Sequence, residues 1–168
     1  MLLTRPLYQR ILQVANHHTG YGIESNGQES FTIIQYNIAD QYMPHCDSDC
    51  DGSEYIPGGR IATAVLYCKG MHHTHLFTHP STYLTLIGSY TYTHSLCLNV
   101  YIHCTYILHY TVAEEGGATT FTKSDLFVKP SNGSATFFAY RGPDNKMDPE
   151  SLTEHSGCPV TQGEKWIG

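Results

Sequence analysis

Leu7, Ile11, Leu12 and Ala15 recur at helical spacing across residues 5–16, and Gly20 and Gly22 close that pattern. One helix packed on the outside of a sheet is predicted there. Beyond it the period shortens. Residues 31–36 form a short β-rich run, and a second run carries Tyr42, His45 and Asp47. Residues 60–68 alternate, with Ile61, Thr63, Val65 and Tyr67 on one face and Ala62, Ala64 and Leu66 on the other. Strand-like runs follow at 118–121, 126–129, 134–140, 155–160 and 164–167. Asn26-Gly27, Asn132-Gly133 and Gly142-Pro143-Asp144-Asn145 supply turn chemistry between runs. Many short strands with few helices predict a mainly β, double-layered fold.

One block breaks the pattern. From about residue 70 to 111 the chain is dense in His, Tyr and Thr, as in Ser89-Tyr90-Thr91-Tyr92-Thr93-His94, and it holds no Asp, Glu or Arg. Joining Lys69 to Val112 would leave an ordinary short hairpin connection. Residues 70–111 therefore read as an inserted low-complexity block, intron-like, inside a single domain spanning 1–168. The rival reading is a His-rich insert that captures zinc, copper or nickel.

At 168 residues the chain suits one domain with a real core. Its net charge of -6 comes with no basic stripe, which argues against nucleic acid as a partner. No apolar run is long enough for a membrane span. The first residues, Met1-Leu2-Leu3-Thr4-Arg5-Pro6, lack the features of a signal peptide. The acidic stretch Asp49-Cys50-Asp51-Gly52-Ser53 lacks EF-hand spacing and a closing Glu, so it reads as a solvated loop. Cys46 and Cys50 lie close together, with Cys68 and Cys158 further on. Disulfides fit an oxidising compartment, but their pairing is not readable from sequence. A zinc site on Cys46 and Cys50 is the alternative, although no second closely spaced Cys pair accompanies it. Asn132-Gly133-Ser134 is a glycosylation acceptor in a secreted chain.

The stretch Tyr42-Met43-Pro44-His45-Cys46-Asp47 carries the chemistry. On a strand, residues two apart share a face, so His45 and Asp47 can aim at one ion while Cys46 points away. An imidazole and a carboxylate leave a borderline ion short of ligands. A second imidazole from His155 would complete the two-His-one-carboxylate facial triad of non-haem Fe(II) oxygenases. Lys165 follows ten residues later as a partner for an anionic cosubstrate.

Residues 35–47, 59–68, 115–121 and 155–166 together resemble an animal prolyl 4-hydroxylase, of the alpha-subunit-like catalytic type. That group belongs to the 2-oxoglutarate- and Fe(II)-dependent dioxygenases. The shared motifs include Pro44-His45-Cys46-Asp47, Arg60-Ile61-Ala62-Thr63, Gly116-Gly117-Ala118-Thr119 and His155-Ser156-Gly157-Cys158-Pro159-Val160, ending at Lys165-Trp166. The resemblance implies a double-stranded β-helix, or jelly roll. It implies His45, Asp47 and His155 as iron ligands, Lys165 on the distal carboxylate of 2-oxoglutarate, and Tyr36, Tyr67 and Thr63 along the same pocket. Arg60 is expected to be structural, and Trp166 to pack. The implied cofactors are Fe(II), 2-oxoglutarate and L-ascorbate. The implied substrate is a proline-containing, procollagen-like peptide, with room for a separate partner subunit, in the endoplasmic reticulum lumen or secretory pathway.

The family pattern continues past Lys-Trp, and its N-terminal helical part is longer. The domain is therefore expected to be incomplete at both ends, with the true N-terminus missing. The competing functional expectations are an inactive or mis-spliced fragment of such an enzyme, and a His-rich metal-binding protein.

Overall fold

The N-terminal apolar stripe folds as α1 (Arg5–Thr19) in a computed structural model that describes residues 5–67, 112–131 and 133–168, with the backbone of 86–87 and 97–101. The helix runs three residues past its predicted end and stops at Gly20. There φ is +69° and the amide donates back to the Asn16 carbonyl at 2.9 Å. Its buried stripe includes Val14 and Ala15, flanked by Leu7 and Ile11, and Leu12 is not among the residues packed in that cluster. Among the described residues no helix is long and apolar enough to cross a membrane.

The strands are β1 (Ile34–Tyr36), β2 (Tyr42–His45), β3 (Ala62–Tyr67), β4 (Leu86–Ile87), β5 (Cys97–Tyr101), β6 (Glu115–Gly116), β7 (Thr119–Phe121), β8 (Leu126–Val128), β9 (Ser134–Ala139), β10 (His155–Gly157), β11 (Val160–Gln162) and β12 (Lys165–Ile167). Strands β2-β10-β7-β8 form one antiparallel sheet. Strands β3-β9-β5-β4 form another, and β1 pairs with β12. Gly168 and Leu66 exchange backbone hydrogen bonds at 2.8 and 3.3 Å, which joins β12 to β3. The result is a jelly roll with a short β6–β11 ladder at one end.

The alternation read in residues 60–68 sorts the core. Ala62, Ala64 and Leu66 pack toward α1, together with Ala135, Phe137 and Ala139 of β9. Val65 and Phe138 face inward with Phe121, Val128, Tyr140 and Met147. Each fully buried side chain of this kind contributes roughly 1.5–3 kcal/mol. Trp166 packs on the helix side, as expected.

The structure changes or settles the sequence reading at several points. The run at 155–160 splits into β10 and β11, which belong to different sheets. Pro159, between them, has no N–H to continue a ladder, and the Cys158 amide donates to the Ala118 carbonyl at 2.8 Å. Strand β2 ends at His45, so Asp47 lies in the bend that follows. A Cys46–Cys50 disulfide, with the two Cα atoms 6.3 Å apart, spans that bend and leaves no thiolate there for zinc. Within the 70–111 block, residues 97–101 ladder onto the outer edge of β9, and residues 86–87 pair in turn with 97–101. The rest of the block with its histidines, Cys68, and the Asn132 acceptor lie outside the described residues.

Candidate metal centre

Antiparallel pairing of β2 with β10 puts His45 opposite His155, with ring centroids 4.4 Å apart. Asp47 turns back from the bend to meet both. Its Oδ1 is 3.4 Å from His45 Nε2, and its Oδ2 is 3.9 Å from His155 Nε2. The three candidate ligand atoms lie within 4.8 Å of one another. Bonds from a divalent ion to nitrogen or oxygen run about 2.0–2.2 Å, so small side-chain rotations bring all three donors onto one ion.

The donor chemistry fits as well. His45 Nδ1 lies 2.8 Å from the Met43 carbonyl, and His155 Nδ1 lies 2.9 Å from the Thr153 carbonyl. A carbonyl only accepts, so each Nδ1 carries the proton and each Nε2 lone pair faces the site. His155 is nearly buried, with Phe121 and Phe138 rings 5.5 and 4.8 Å away. That burial pushes its pKa down, more than its Thr153 hydrogen bond and the Asp47 charge raise it. A neutral, ligating imidazole is thereby favoured. His45 is more open, beneath the Tyr42 ring at 4.1 Å.

Lys165 forms the second part of the site. Its side chain is 2% exposed. Nζ donates to the Gly117 carbonyl at 2.8 Å and lies 4.8 Å from the centroid of the Tyr36 ring. Among the described residues no carboxylate is within ion-pair distance of it. Burial lowers its pKa to about 8. A buried ammonium with only one carbonyl and one ring beside it has the chemistry to hold an anion. Gly117 is required beside it, because a Cβ there would lie 3.1 Å from Lys165 Cδ, and φ is +65°. Gly157, two residues past His155, leaves space that Tyr36 approaches, which links the lysine pocket to β10.

The remaining sequence candidates divide. Tyr36 is at the lysine. Tyr67 is fully buried, and its hydroxyl lies 2.8 Å from Thr119 Oγ1. Thr63 is placed instead on the metal side, donating to Asp47 Oδ2 at 2.7 Å. Arg60 is exposed and pairs with Glu29 at 2.6 Å, while its Nη1 reaches the Asp47 carbonyl at 3.5 Å. Sequence reasoning passed over Thr119, although it ends the Gly116-Gly117-Ala118-Thr119 motif. It also passed over Tyr140, whose hydroxyl lies 3.4 Å from Asp47 Oδ2. Burial, and then the Asp47 charge, raise the Tyr140 pKa, so the phenol keeps its proton.

Comparison with known proteins bears on this arrangement. Probable prolyl 4-hydroxylase 10 of Arabidopsis thaliana is 30% identical over 139 residues, which is 82% of this chain and 39% of that protein. Probable prolyl 4-hydroxylase 3 of the same plant is 28% identical over 145 residues, 86% of this chain and 42% of that protein. By sequence the chain is a relative of the prolyl 4-hydroxylases. It spans about two fifths of the length of these curated relatives. No family model matches the chain. Among solved structures, a truncated form of the viral collagen prolyl hydroxylase of Paramecium bursaria Chlorella virus-1 superposes with a TM-score of 0.54 at 18% identity. That match covers 99% of this chain and 67% of the viral one, and it shares the fold. Both of these relatives are plant proteins, and the likeness expected from the sequence motifs is to the prolyl 4-hydroxylases.

Proposed function

We propose that the chain hydroxylates peptidyl proline at C4, coupled to oxidative decarboxylation of 2-oxoglutarate to succinate and CO2 with Fe(II) and O2. The observation that carries this reading is the convergence of His45, Asp47 and His155 from β2, its bend and β10. Two imidazoles and one carboxylate on a single face are the donor set of Fe(II) oxygenases, and they leave the opposite face open. When bound, iron and 2-oxoglutarate supply the O2 activation and oxygen transfer that side chains lack.

The protein's part is binding and orientation. Lys165 takes the distal carboxylate of 2-oxoglutarate, gaining the counter-charge its burial withholds. Tyr36 walls that end, and the Tyr67–Thr119 hydroxyl pair lies in the same interior. Phe121 and Phe138 keep water from behind His155. Tyr42, beside His45 and about half exposed, presents an aromatic surface at the mouth. Extended proline-rich chains dock on aromatic surfaces with little ordering entropy. Ascorbate serves as the reductant that keeps the iron ferrous. The Cys46–Cys50 disulfide and the family resemblance support the endoplasmic reticulum lumen or secretory pathway as the compartment.

The test is succinate and 4-hydroxyproline formation from 2-oxoglutarate and a proline-rich, collagen-like peptide, with Fe(II) and ascorbate, beside His155→Ala. Peptide-dependent formation of both products, lost in the variant, is expected. Metal binding with no turnover under any of these conditions would overturn the enzyme reading in favour of an inactive relative.

A further inference from the structure

Asp47 is the least constrained of the three candidate ligands by its own element. It lies past the end of β2, and nothing in a strand ladder fixes its side chain. The opposite sheet does. Thr63 of β3 donates to Asp47 Oδ2 at 2.7 Å. The Tyr140 hydroxyl, just after β9, reaches the same oxygen at 3.4 Å and also touches the Thr63 hydroxyl. Asp47 Oδ1 is left facing His45 Nε2 at 3.4 Å.

These two hydroxyls are themselves held rigidly. Thr63 is opposite Phe138 in the β3–β9 ladder, and the Tyr140 amide donates to the Ile61 carbonyl at 2.9 Å. The Tyr140 ring is 3% exposed and packs with Phe138 and Met147. A phenol that deeply buried needs a hydrogen-bond partner. Among the described residues, its hydroxyl meets Thr63 and Asp47.

We infer that Thr63 and Tyr140 are positioning residues for the metal site, a hydroxyl pair that occupies Asp47 Oδ2 and presents Oδ1 to the ion. This rests on the reading of His45, Asp47 and His155 as ligands to a divalent cation. The proton count orders the two. Thr63 donates its only proton to Oδ2, while Tyr140 donates to either Thr63 Oγ1 or Oδ2. Removing the Tyr140 hydroxyl leaves the Thr63 bond in place. Removing the Thr63 hydroxyl leaves only the longer Tyr140 contact. The two losses are therefore non-additive, as for members of one network.

The test is Co(II) binding to the full chain, followed by titration and by the visible absorption of the bound ion, for wild type, Thr63→Val, Thr63→Ser, Tyr140→Phe and the Thr63→Val/Tyr140→Phe double variant. Hydrogen-bond partners of metal ligands typically affect affinity about 10–100-fold. Thr63→Val is expected to weaken Co(II) about 10-fold or more and to alter its spectrum. Tyr140→Phe should weaken it less, and Thr63→Ser should restore wild-type affinity. Where Thr63→Val melts early, Tyr140→Phe, which keeps the packed ring, decides alone. Unchanged affinity in both hydroxyl deletions, or a Thr63→Ser loss equal to that of Thr63→Val, would overturn the inference. Failure of wild type itself to bind Co(II) would overturn the ligand reading beneath it, so the two failures are distinct.

Discussion

Replacing Lys165 by Met should stabilise the protein in the absence of ligand while removing the proposed anion site. The lysine is buried, and its pKa falls from 10.5 to about 8 through burial. The sign follows from linkage. Below about 8 both folded and unfolded chains carry the proton, and the full penalty of burying the ammonium is present. Between 8 and 10.5 the folded chain has lost the proton that the unfolded chain still holds, so stability rises with pH. A shift of this size corresponds to roughly 3 kcal/mol at pH 7. The variant also loses the 2.8 Å bond to the Gly117 carbonyl, worth about 0.5–1.5 kcal/mol. A net gain of about 1–3 kcal/mol at pH 7 is expected, shrinking toward zero or reversing by pH 9.5. Urea denaturation at both pH values measures it, with and without 2-oxoglutarate and a divalent ion. Ligand at 100 times its Kd should add about 2.7 kcal/mol to wild type and nothing to the variant. A variant less stable than wild type at pH 7, by an amount independent of pH, would refute the reasoning.

Three further outcomes are expected. The His155 pKa is lowered, so the unfolded chain takes up its proton first as pH falls through about 6.5, and the metal-free protein should lose stability there; a urea midpoint flat from pH 7.5 to 5.5 in this histidine's share, read against His155→Gln, would contradict this. Reducing the Cys46–Cys50 disulfide frees a loop with a sequence separation of 4, and the chain-entropy model puts the loss at about 2 kcal/mol, visible as a lower melting temperature with dithiothreitol that a Cys46→Ser/Cys50→Ser variant does not show further. Gly116→Ala would place a Cβ 2.2 Å from the Pro159 carbonyl oxygen at φ +78°, so it should destabilise by at least about 2 kcal/mol, and a wild-type melting temperature would speak against the β6–β11 contact.

The parts of this molecule legible in the sequence are those set by local period and by compact motifs. Alternation across residues 60–68 correctly divided Ala62, Ala64 and Leu66, which face the helix, from Val65, which faces inward. His45 and Asp47 were legible from their two-residue spacing and His155 from the family motif at 155–166, while the β2–β10 pairing that brings them together is visible only in the structure. What stayed hidden depends on long-range register. Thr63 meets Asp47 rather than Lys165 because β3 is aligned against β9, so that Tyr140, 77 residues away, closes on the same oxygen. The end of β2 before Asp47 adjoins a Cys46–Cys50 disulfide whose pairing no spacing rule supplies. The split between β10 and β11 had a local signal in Pro159, which reading 155–160 as one strand-like run passed over.

The most direct measurement is calorimetric titration of the full chain with 2-oxoglutarate under anaerobic conditions, with and without one equivalent of Fe(II) or Mn(II). One molecule bound per chain, dependence on the metal, and loss of binding in Lys165→Met and in His155→Ala are expected. Binding of 2-oxoglutarate that ignores the metal, or that survives both substitutions, would contradict the claim that His45, Asp47, His155 and Lys165 form one site.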